Sequence, residues 1–218
     1  MQVYDRLLGF NPLQIDDLLK AHEILMQSLV IENGRWCSKD VGILKGVEVS
    51  HVAPPSKRVP ELMLDLFKYM QIAELPWILK ACIFHYELEF IHPFQDGNGS
   101  MGRLWQQLLL MKEDLIFCYI PVEVLVKEHQ KEYYQVLGES DAAGESTVFI
   151  EFSLEIIFKA LIDFSKVASK VPQDSGSRLI FSKTRLQKEW FNRKDYMETQ
   201  RDISSATVSR DLIFLSKS

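Results

Sequence analysis

The sequence predicts a mainly α-helical protein: a helical bundle with one small β-hairpin, followed by a short C-terminal helix-turn-helix. Apolar residues recur at helical spacing through most of the 218 residues. One stretch, residues 41–52, is instead rich in β-branched residues. A segment containing Pro and Gly, residues 171–177, interrupts the pattern before a basic tail. We therefore predict a first domain over residues 1–170, a linker at 171–177 and a second module over 178–218.

The individual elements have their own start and stop signals. Asn11 before Pro12 favours a helix start, and Asn33 with Gly34 ends the apolar run, so we expect the first helix over about residues 12–33. Gly46 separates two short β-branched runs and predicts the turn of the hairpin. Further helices are predicted at residues 60–71, 76–91, 121–137 and 148–168, and another after residue 99.

The composition is that of a packed protein without a membrane span. Hydrophobic residues make up 47% of the chain, and its net charge is −5. Charged residues break the apolar stretches well before the roughly 20 residues that a bilayer requires, and the N-terminus carries Asp5 and Arg6 where a signal peptide would be apolar. We expect a cytoplasmic protein with no membrane partner. Because Cys37, Cys82 and Cys118 are isolated and odd in number, we expect buried or free thiols, not a disulfide framework or a zinc site.

Charge is distributed unevenly along the chain. Residues 178–218 hold nine Lys and Arg against five Asp and Glu, a net +4, and the remaining residues carry −9, which gives −5 overall. Within this tail, residues 191–198 predict a short helix, and the capped segment from Ser204 to Leu212 resembles the recognition helix of winged-helix domains. A wing would be expected after residue 218, so we expect an incomplete module. Two roles stay open, DNA binding and a contact with the chain's own fold or another protein.

Residues 92–103 combine the groups that phosphate chemistry requires. Gly97 and Gly99 let the backbone turn with its N–H groups converging, and the apolar run that follows predicts a helix, so this helix N-terminus is a candidate anion site. His92 and Asp96 precede the turn, where an imidazole can accept a proton and a carboxylate can hold a divalent ion against phosphate oxygens. Arg103, one helical turn further on, can bind the same anion.

The whole segment resembles the signature of the Fic family, His-x-Phe-x-(Asp/Glu)-Gly-Asn-Gly-Arg-x-x-Arg. The chain reads His-Pro-Phe-Gln-Asp-Gly-Asn-Gly-Ser-Met-Gly-Arg, and it matches at His92, Phe94, Asp96, Gly97, Asn98, Gly99 and Arg103. It departs at Ser100, where the family has Arg. The resemblance implies a Fic-type helical bundle that transfers AMP from ATP to a Ser, Thr or Tyr hydroxyl of a protein, which can include the chain itself.

The resemblance also implies a role for each matching residue. His92 would be the general base, Asp96 the ligand of Mg²⁺, and Arg103 the residue that orients the terminal phosphate. Asn98, with the amides of the two flanking glycines, would cradle the phosphates, and Phe94 would anchor the loop.

Ser100 leaves two functions open. Loss of one charged phosphate contact costs a few kcal/mol, or on the order of a hundredfold in rate. The chain is then either an adenylyltransferase or a nucleotide-binding regulator that has lost catalysis and acts through its helix-turn-helix tail.

A second resemblance lies at the end of the first predicted helix. The segment from Ser28 to Asn33 fits the inhibitory motif (Ser/Thr)-x-x-x-Glu-(Gly/Asn) of the Fic class with an N-terminal inhibitory helix. This implies that Glu32 pairs with Arg103 and keeps it from the terminal phosphate. In some relatives the same Glu positions water and supports removal of AMP. Taken without the resemblance, a Ser and a Glu four residues apart are a common coincidence.

Two further sets of residues are assigned by the same resemblance. The hairpin occupies the place of a flap that aligns the protein substrate by strand addition; an ordinary exposed hairpin is the alternative. The residues assigned to this flap are Val47, Val49 and His51. A base pocket is expected after the motif helix, although paired tyrosines on a helix are often packing residues. The residues assigned to this pocket are Tyr133, Tyr134, Leu137 and Asp141. Assembly as a homodimer is also open.

Overall fold

The computed structural model describes residues 3, 6–40, 42–45, 48–120, 122–168, 175–186, 191–199 and 203–215. The chain divides into two compact units, Met1–Phe164 and Ser165–Ser218. The boundary falls slightly before the predicted end of the first domain at residue 170. As predicted, the described residues are mainly helical. Within the described parts of the chain, each helix is too short or too polar to cross a lipid bilayer.

The first unit is built from seven α-helices among the described residues, of which the last continues into the second unit. They are α1 Ile15–Leu25, α2 Val59–Ile72, α3 Trp77–Ile91, α4 Asn98–Glu113, α5 Val122–Glu128, α6 Gln130–Ala143 and α7 Thr147–Ala168. Short 3₁₀ turns lie before α1 at Leu7–Gly9, before α2 at Ser56–Arg58 and between α4 and α5 at Leu115–Tyr119. The predicted helix over 121–137 is therefore two helices, which are separated at His129.

The centre of this unit is the packing of α3 against α4. Both helices bury side chains around most of their circumference, as expected of helices at the middle of a core. Phe84 of α3 and Trp105 of α4 are fully buried, and the Trp105 indole N–H donates to the Pro12 carbonyl at 3.1 Å. Phe67 of α2 packs edge-on against Phe84, with ring centroids 5.6 Å apart. These contacts hold together the two helices that flank residues 92–97, which we call the motif loop.

The prediction of a first helix over residues 12–33 is wrong in its extent, since α1 ends at Leu25. Ser28 then adopts a left-handed backbone conformation with φ of +66°, as does Gly34 with φ of +68°. The Gly34 N–H donates to Nδ1 of His22 at 2.9 Å, which draws the chain back along α1. Residues 26–37 consequently form a loop, and Glu32 does not lie on a helix.

Two short antiparallel strands lie where the sequence predicted a hairpin. They are β1 Gly42–Lys45 and β2 Glu48–Val52, with an irregularity in register between Ile43 and Leu44. Strand β2 contacts α6. Val47 lies outside the described residues, and only the backbone of Val49 and His51 is described. The role of this hairpin as a substrate flap stays a prediction.

The second unit contains three described helices. They are α8 Ser175–Leu186, α9 Arg193–Thr199 and α10 Ser205–Leu215. Helix α8 begins inside the predicted linker and had no counterpart in the sequence prediction. Helices α9 and α10 agree with the two predicted tail helices, and the Ser204 hydroxyl accepts from the Thr207 N–H at the start of α10.

A partly buried ion pair joins the first and last described helices of the second unit. Arg178 donates two hydrogen bonds of 2.7 Å to the carboxylate of Asp211, and the Tyr196 hydroxyl donates to the same carboxylate at 2.9 Å. The Arg178 hydrogen bonds hold the pKa of Asp211 below its usual value. Around this pair, Leu179, Tyr196 and Val208 form a small core. A winged-helix assignment and DNA binding stay predictions for this unit.

The three cysteines are free thiols, as expected. Cys37 and Cys82 are buried and Cys118 is exposed. Burial raises the pKa of the Cys82 thiol to about 12, so this thiol stays protonated and packs as a small apolar residue.

Candidate functional site

The motif loop begins where α3 ends. His92 takes a left-handed conformation with φ of +52°, and its N–H caps the helix by donating to the Leu88 carbonyl at 3.0 Å. Its Nδ1 lies 3.3 Å from the Glu89 carbonyl oxygen. A carbonyl only accepts, so Nδ1 is the donor in this contact. The turn therefore sets the orientation of the His92 ring.

The side chain of Asn98 closes the motif loop. Its Oδ1 accepts from the Phe94 N–H and its Nδ2 donates to the Phe94 carbonyl, both at 2.9 Å. Asn98 is only 2% exposed. Both polar ends of the Asn98 amide thus bind the loop backbone, so the predicted phosphate cradle can draw only on the backbone N–H of Asn98.

The N-terminus of α4 is left to bind an anion through its backbone. The Gly97 N–H, which was predicted to join the cradle, donates instead to Oδ1 of Asp96 at 2.7 Å. The N–H groups of Asn98, Gly99 and Ser100 begin the helix and have no acceptor within it by helix geometry. Together with the positive end of the helix dipole, these are groups that can bind an anion.

Glycine is required at position 97 for two reasons. Its φ of +85° is left-handed, and a Cβ there would lie 2.7 Å from Sδ of Met26. Asp96, which precedes it, is exposed, with one carboxylate oxygen on the Gly97 N–H. No group of three His, Cys, Asp or Glu side chains suited to a metal occurs among the described residues. A single exposed carboxylate still fits Mg²⁺, which takes one or two protein carboxylates and completes its shell with phosphate oxygens and water.

A buried polar network lies beneath the first turns of α4. Glu89 is 8% exposed and accepts from the Tyr133 hydroxyl at 3.1 Å. Nε2 of His85 lies 3.8 Å from the Glu89 carboxylate and 3.1 Å from the Tyr133 hydroxyl, and Nδ1 of His85 donates to Gln106 at 2.7 Å. A Cβ at Gly102 would lie 2.6 Å from the His85 ring, so glycine admits the network between the two helices.

The charges in this network favour an ionised Glu89. Burial alone would oppose ionisation, but the nearby His85 and His92 side chains and the hydrogen bond from Tyr133 outweigh it and lower the pKa of Glu89. Burial and the neighbouring Glu89 charge raise the pKa of Tyr133 well above its usual value, which keeps its hydroxyl protonated as a donor. A negative charge is thus held one turn before His92.

Of the four predicted base-pocket residues, Tyr133 does not reach the surface. Tyr133 is 2% exposed and belongs to the buried network, so its assignment to a base pocket is wrong. Tyr134 is 52% exposed and packs edge-on against Tyr133. Leu137 packs against the core, and Asp141 accepts from the Tyr86 hydroxyl at 3.4 Å. Of the four side chains, Tyr134 alone presents a largely exposed ring.

Arg103 and Glu32 have separate partners, so the predicted pair between them is not formed. Arg103 lies 3.8 Å from the carboxylate of Glu123 on α5, and the same Nη2 donates to the Ser100 hydroxyl at 3.4 Å. The Glu32 carboxylate accepts from the hydroxyl and the N–H of Ser38, at 2.6 and 3.1 Å, and these bonds lower its pKa. The physical reason is the early end of α1, which leaves Glu32, like Ser28, in the loop that follows.

A cavity of about 560 Å³ adjoins Arg103 on the side of α5. It had no signal in the sequence, because its walls come from segments far apart in the chain. The lining residues are Leu7, Leu8, Arg103, Gln107, Met111, Cys118, Val122, Glu123, Val124 and Lys127.

The structure also places a residue in the site that sequence reasoning missed. His22 of α1 is fully buried, stacks on Phe94 and bonds to the carbonyl of Asp96 at 3.0 Å. A histidine on the buried face of a helix, beside Leu18 and Ala21, is the one sequence signal for this contact. That pattern alone does not distinguish a packing residue from one that contacts a site.

Comparison with known proteins gives consistent matches. Residues 12–110 match the Fic/DOC family. The protein adenylyltransferase Fic of Nematostella vectensis is 30% identical over 143 residues, which are 63% of this chain and 31% of that protein. Protein adenylyltransferase fic-1 of Caenorhabditis elegans is 30% identical over 146 residues, 65% of this chain and 27% of that protein. The chain thus spans about a third of the length of these curated relatives or less.

A solved structure extends the likeness to nearly the whole chain. A Fic family protein from Desulfovibrio desulfuricans G20 is 35% identical and aligns with a TM-score of 0.73, covering 96% of this chain and 63% of that one. Its match includes the second unit as well as the motif domain.

The depressed pKa of Glu89 gives a prediction with a definite sign. A carboxyl with a lower pKa in the folded state stabilises the fold above its unfolded pKa, near 4.5, and that contribution is lost as the pH falls through the folded pKa. We expect Glu89→Gln to lower the free energy of unfolding at neutral pH and to flatten its decline below about pH 4.5. Urea unfolding at a series of pH values measures both.

Glu87, on the same helix, is a control of opposite sign. Burial raises the pKa of Glu87, so Glu87→Gln should not reduce stability at neutral pH. Parallel pH dependences for wild type and the Glu89 variant would contradict the assigned charge on Glu89.

Proposed function

On the premise that residues 12–110 form a domain of the Fic/DOC family, we propose that this chain transfers AMP from ATP to a Ser, Thr or Tyr hydroxyl of a protein substrate. The observation that carries the proposal is that His92 and the N-terminus of α4 lie at the two ends of one short loop, with Nδ1 of His92 donating to the Glu89 carbonyl. The names of relatives about 30% identical to the chain support it.

The proposed reaction uses three elements of the motif loop. The N–H groups at the start of α4 bind the phosphates, and His92 Nε2 takes the proton of the attacking hydroxyl. The hydroxyl oxygen forms a bond to the α-phosphorus, the bond from that phosphorus to the oxygen bridging to the β-phosphate breaks, and pyrophosphate leaves. Asp96 would hold Mg²⁺ through the carboxylate oxygen directed away from Gly97, and the bound ion would offset the phosphate charge.

Arg103 supplies the remaining cation. Its contact with the exposed Glu123 is long at 3.8 Å and is worth little in water, so a terminal phosphate can displace it. Ser100 offers a neutral hydroxyl where a second guanidinium would bind phosphate. We therefore propose an enzyme whose rate is limited by the missing charge at position 100.

Strand β2 is the proposed docking edge for the protein substrate. An extended segment could add to the hairpin as a further strand, so that backbone hydrogen bonds hold it beside α6. Glu32 has no part in the proposal, either as a brake or in AMP removal, because its carboxylate is bonded to Ser38.

A second function is favoured by one specific observation, the Ser at position 100. A chain that binds ATP without transferring AMP would act as a nucleotide-dependent regulator. The two functions differ in what a restored Arg should do.

The central test is labelling with ATP that carries a radioactive α-phosphate, with Mg²⁺ and a protein acceptor. We expect His92→Ala to reduce transfer by at least about 100-fold, because the hydroxyl then lacks its base. His129→Ala removes a partly exposed histidine that pairs with Glu132, and it should leave transfer within about twofold. Glu32→Gly should behave like His129→Ala. Equal transfer by wild type and His92→Ala would contradict the role of His92.

The effect of position 100 is tested by Ser100→Arg. Under the proposed function it should raise kcat/KM for transfer by up to about 100-fold, because a guanidinium adds a charge-assisted contact that strengthens in the transition state. If wild type transfers no AMP and Ser100→Arg restores transfer, the result favours the second function, a nucleotide-dependent regulator. If neither form transfers AMP although both bind ATP, the proposal that Ser100 limits transfer is contradicted.

A further inference from the structure

His22 links two segments that are far apart in the sequence. Its ring is fully buried, with Nε2 3.0 Å from the Asp96 carbonyl oxygen and Nδ1 2.9 Å from the Gly34 amide nitrogen. The ring also stacks on Phe94, with centroids 3.7 Å apart and planes within 6°. One side chain thus holds the loop after α1 by one nitrogen and the motif loop by the other.

The two partners determine the tautomer. The Gly34 N–H can only donate, so Nδ1 must carry a lone pair, and the Asp96 carbonyl can only accept, so Nε2 must carry the proton. A neutral Nε2–H imidazole is the one form that satisfies both contacts. Burial lowers the pKa of His22, although the Asp96 carbonyl and the Asp96 charge oppose this, and so favours the neutral form.

Neighbouring contacts show that this link is part of a brace on the motif loop. The Cys37 N–H donates to the Pro93 carbonyl at 2.9 Å, and Trp36 packs on Phe94 with ring centroids 5.4 Å apart. Met26 fills the space that a side chain at position 97 would need. The loop after α1 therefore covers the motif loop on the side occupied by Phe94.

We infer that His22 is a positioning residue for the reaction: its Nε2–H holds the Asp96 carbonyl and thereby fixes the direction of the Asp96 carboxylate and the start of α4. The expected effect on AMP transfer rests on the proposed function, whereas the positioning of the motif loop rests on the hydrogen bonds of His22 alone. If the Asp96 peptide rotates, the carboxylate and the first amides of α4 move together. A misplacement of about 1 Å can cost on the order of 100-fold in rate.

Two substitutions separate the two bonds of His22. The amide of Gln reaches about as far as Nε2 and can still donate to the Asp96 carbonyl. The amide of Asn reaches only about as far as Nδ1 and can still accept from the Gly34 N–H. A positioning role therefore predicts that His22→Gln keeps most of the loop protection and AMP transfer and that His22→Asn loses both. A packing role predicts that the two variants lose them to a similar extent.

The first measurement is amide hydrogen exchange of the motif loop at Phe94 and Gly97, which needs no activity. We expect His22→Asn to speed exchange there by about tenfold relative to His22→Gln. Leu18→Ala, which removes a fully buried side chain from the same helix, serves as the control for lost packing. After correction for global stability, amide exchange of the motif loop in Leu18→Ala should match that of wild type. Equal loop exchange in His22→Gln and His22→Asn would overturn the inference.

The second measurement is the split between kcat and KM for AMP transfer. We expect His22→Asn to lower kcat by at least about tenfold, and His22→Gln to restore most of it. If wild type shows no transfer, the proposed function fails, and the hydrogen-exchange result still decides whether His22 positions the loop. Should His22→Asn not fold, the nitrogen NMR spectrum of the wild-type imidazole decides: an Nε2–H tautomer supports the inference, and an Nδ1–H tautomer overturns it.

Discussion

The paired hydrogen bonds between the Asn98 side chain and the Phe94 backbone close the turn between α3 and α4, and the geometry of the site depends on that closure. Two helices buried in the core enter and leave the turn, so both of its ends are anchored in packed structure. Within it, His92 and Gly97 take left-handed conformations. A turn with this much backbone constraint holds the His92 imidazole, the Asp96 carboxylate and a helix N-terminus in one arrangement before any ligand is bound.

The core beneath the turn supplies electrostatic support. An ionised Glu89 is hydrogen bonded by Tyr133 and faces His85, within a space that exists because position 102 is glycine. Buried charges are costly unless they are paired and hydrogen bonded, and this one is both. The cations that would face phosphate are fewer than the family signature specifies. Arg103 is present and is held loosely by Glu123, while Ser100 contributes only a hydroxyl.

Much of this could be predicted from local signals in the sequence. The motif residues are contiguous, and helices α2, α3 and α7 have clear periodicity or proline starts, so their bounds were predicted closely. The failures involve contacts between distant segments. Helix α1 ends early because the Gly34 N–H bonds to His22, and this removed Glu32 from the helix on which the inhibitory pairing depended.

The role of Tyr133 and the partners of the Asn98 side chain were missed for a related reason. Both are polar side chains that the sequence associates with ligands, and both instead satisfy buried groups of the fold. A pattern in sequence shows which groups a side chain offers. Only the packing of α3, α4 and α6 shows which of those groups are already bonded.

Nucleotide binding at the start of α4 is tested most directly by a crystal structure with Mg²⁺ and a non-hydrolysable ATP analogue. We expect the phosphates to accept hydrogen bonds from the N–H groups of Asn98, Gly99 and Ser100, with the ion between them and the Asp96 carboxylate and with Nε2 of His92 facing the α-phosphorus. A nucleotide bound away from the start of α4, with no phosphate on these amides, would contradict it.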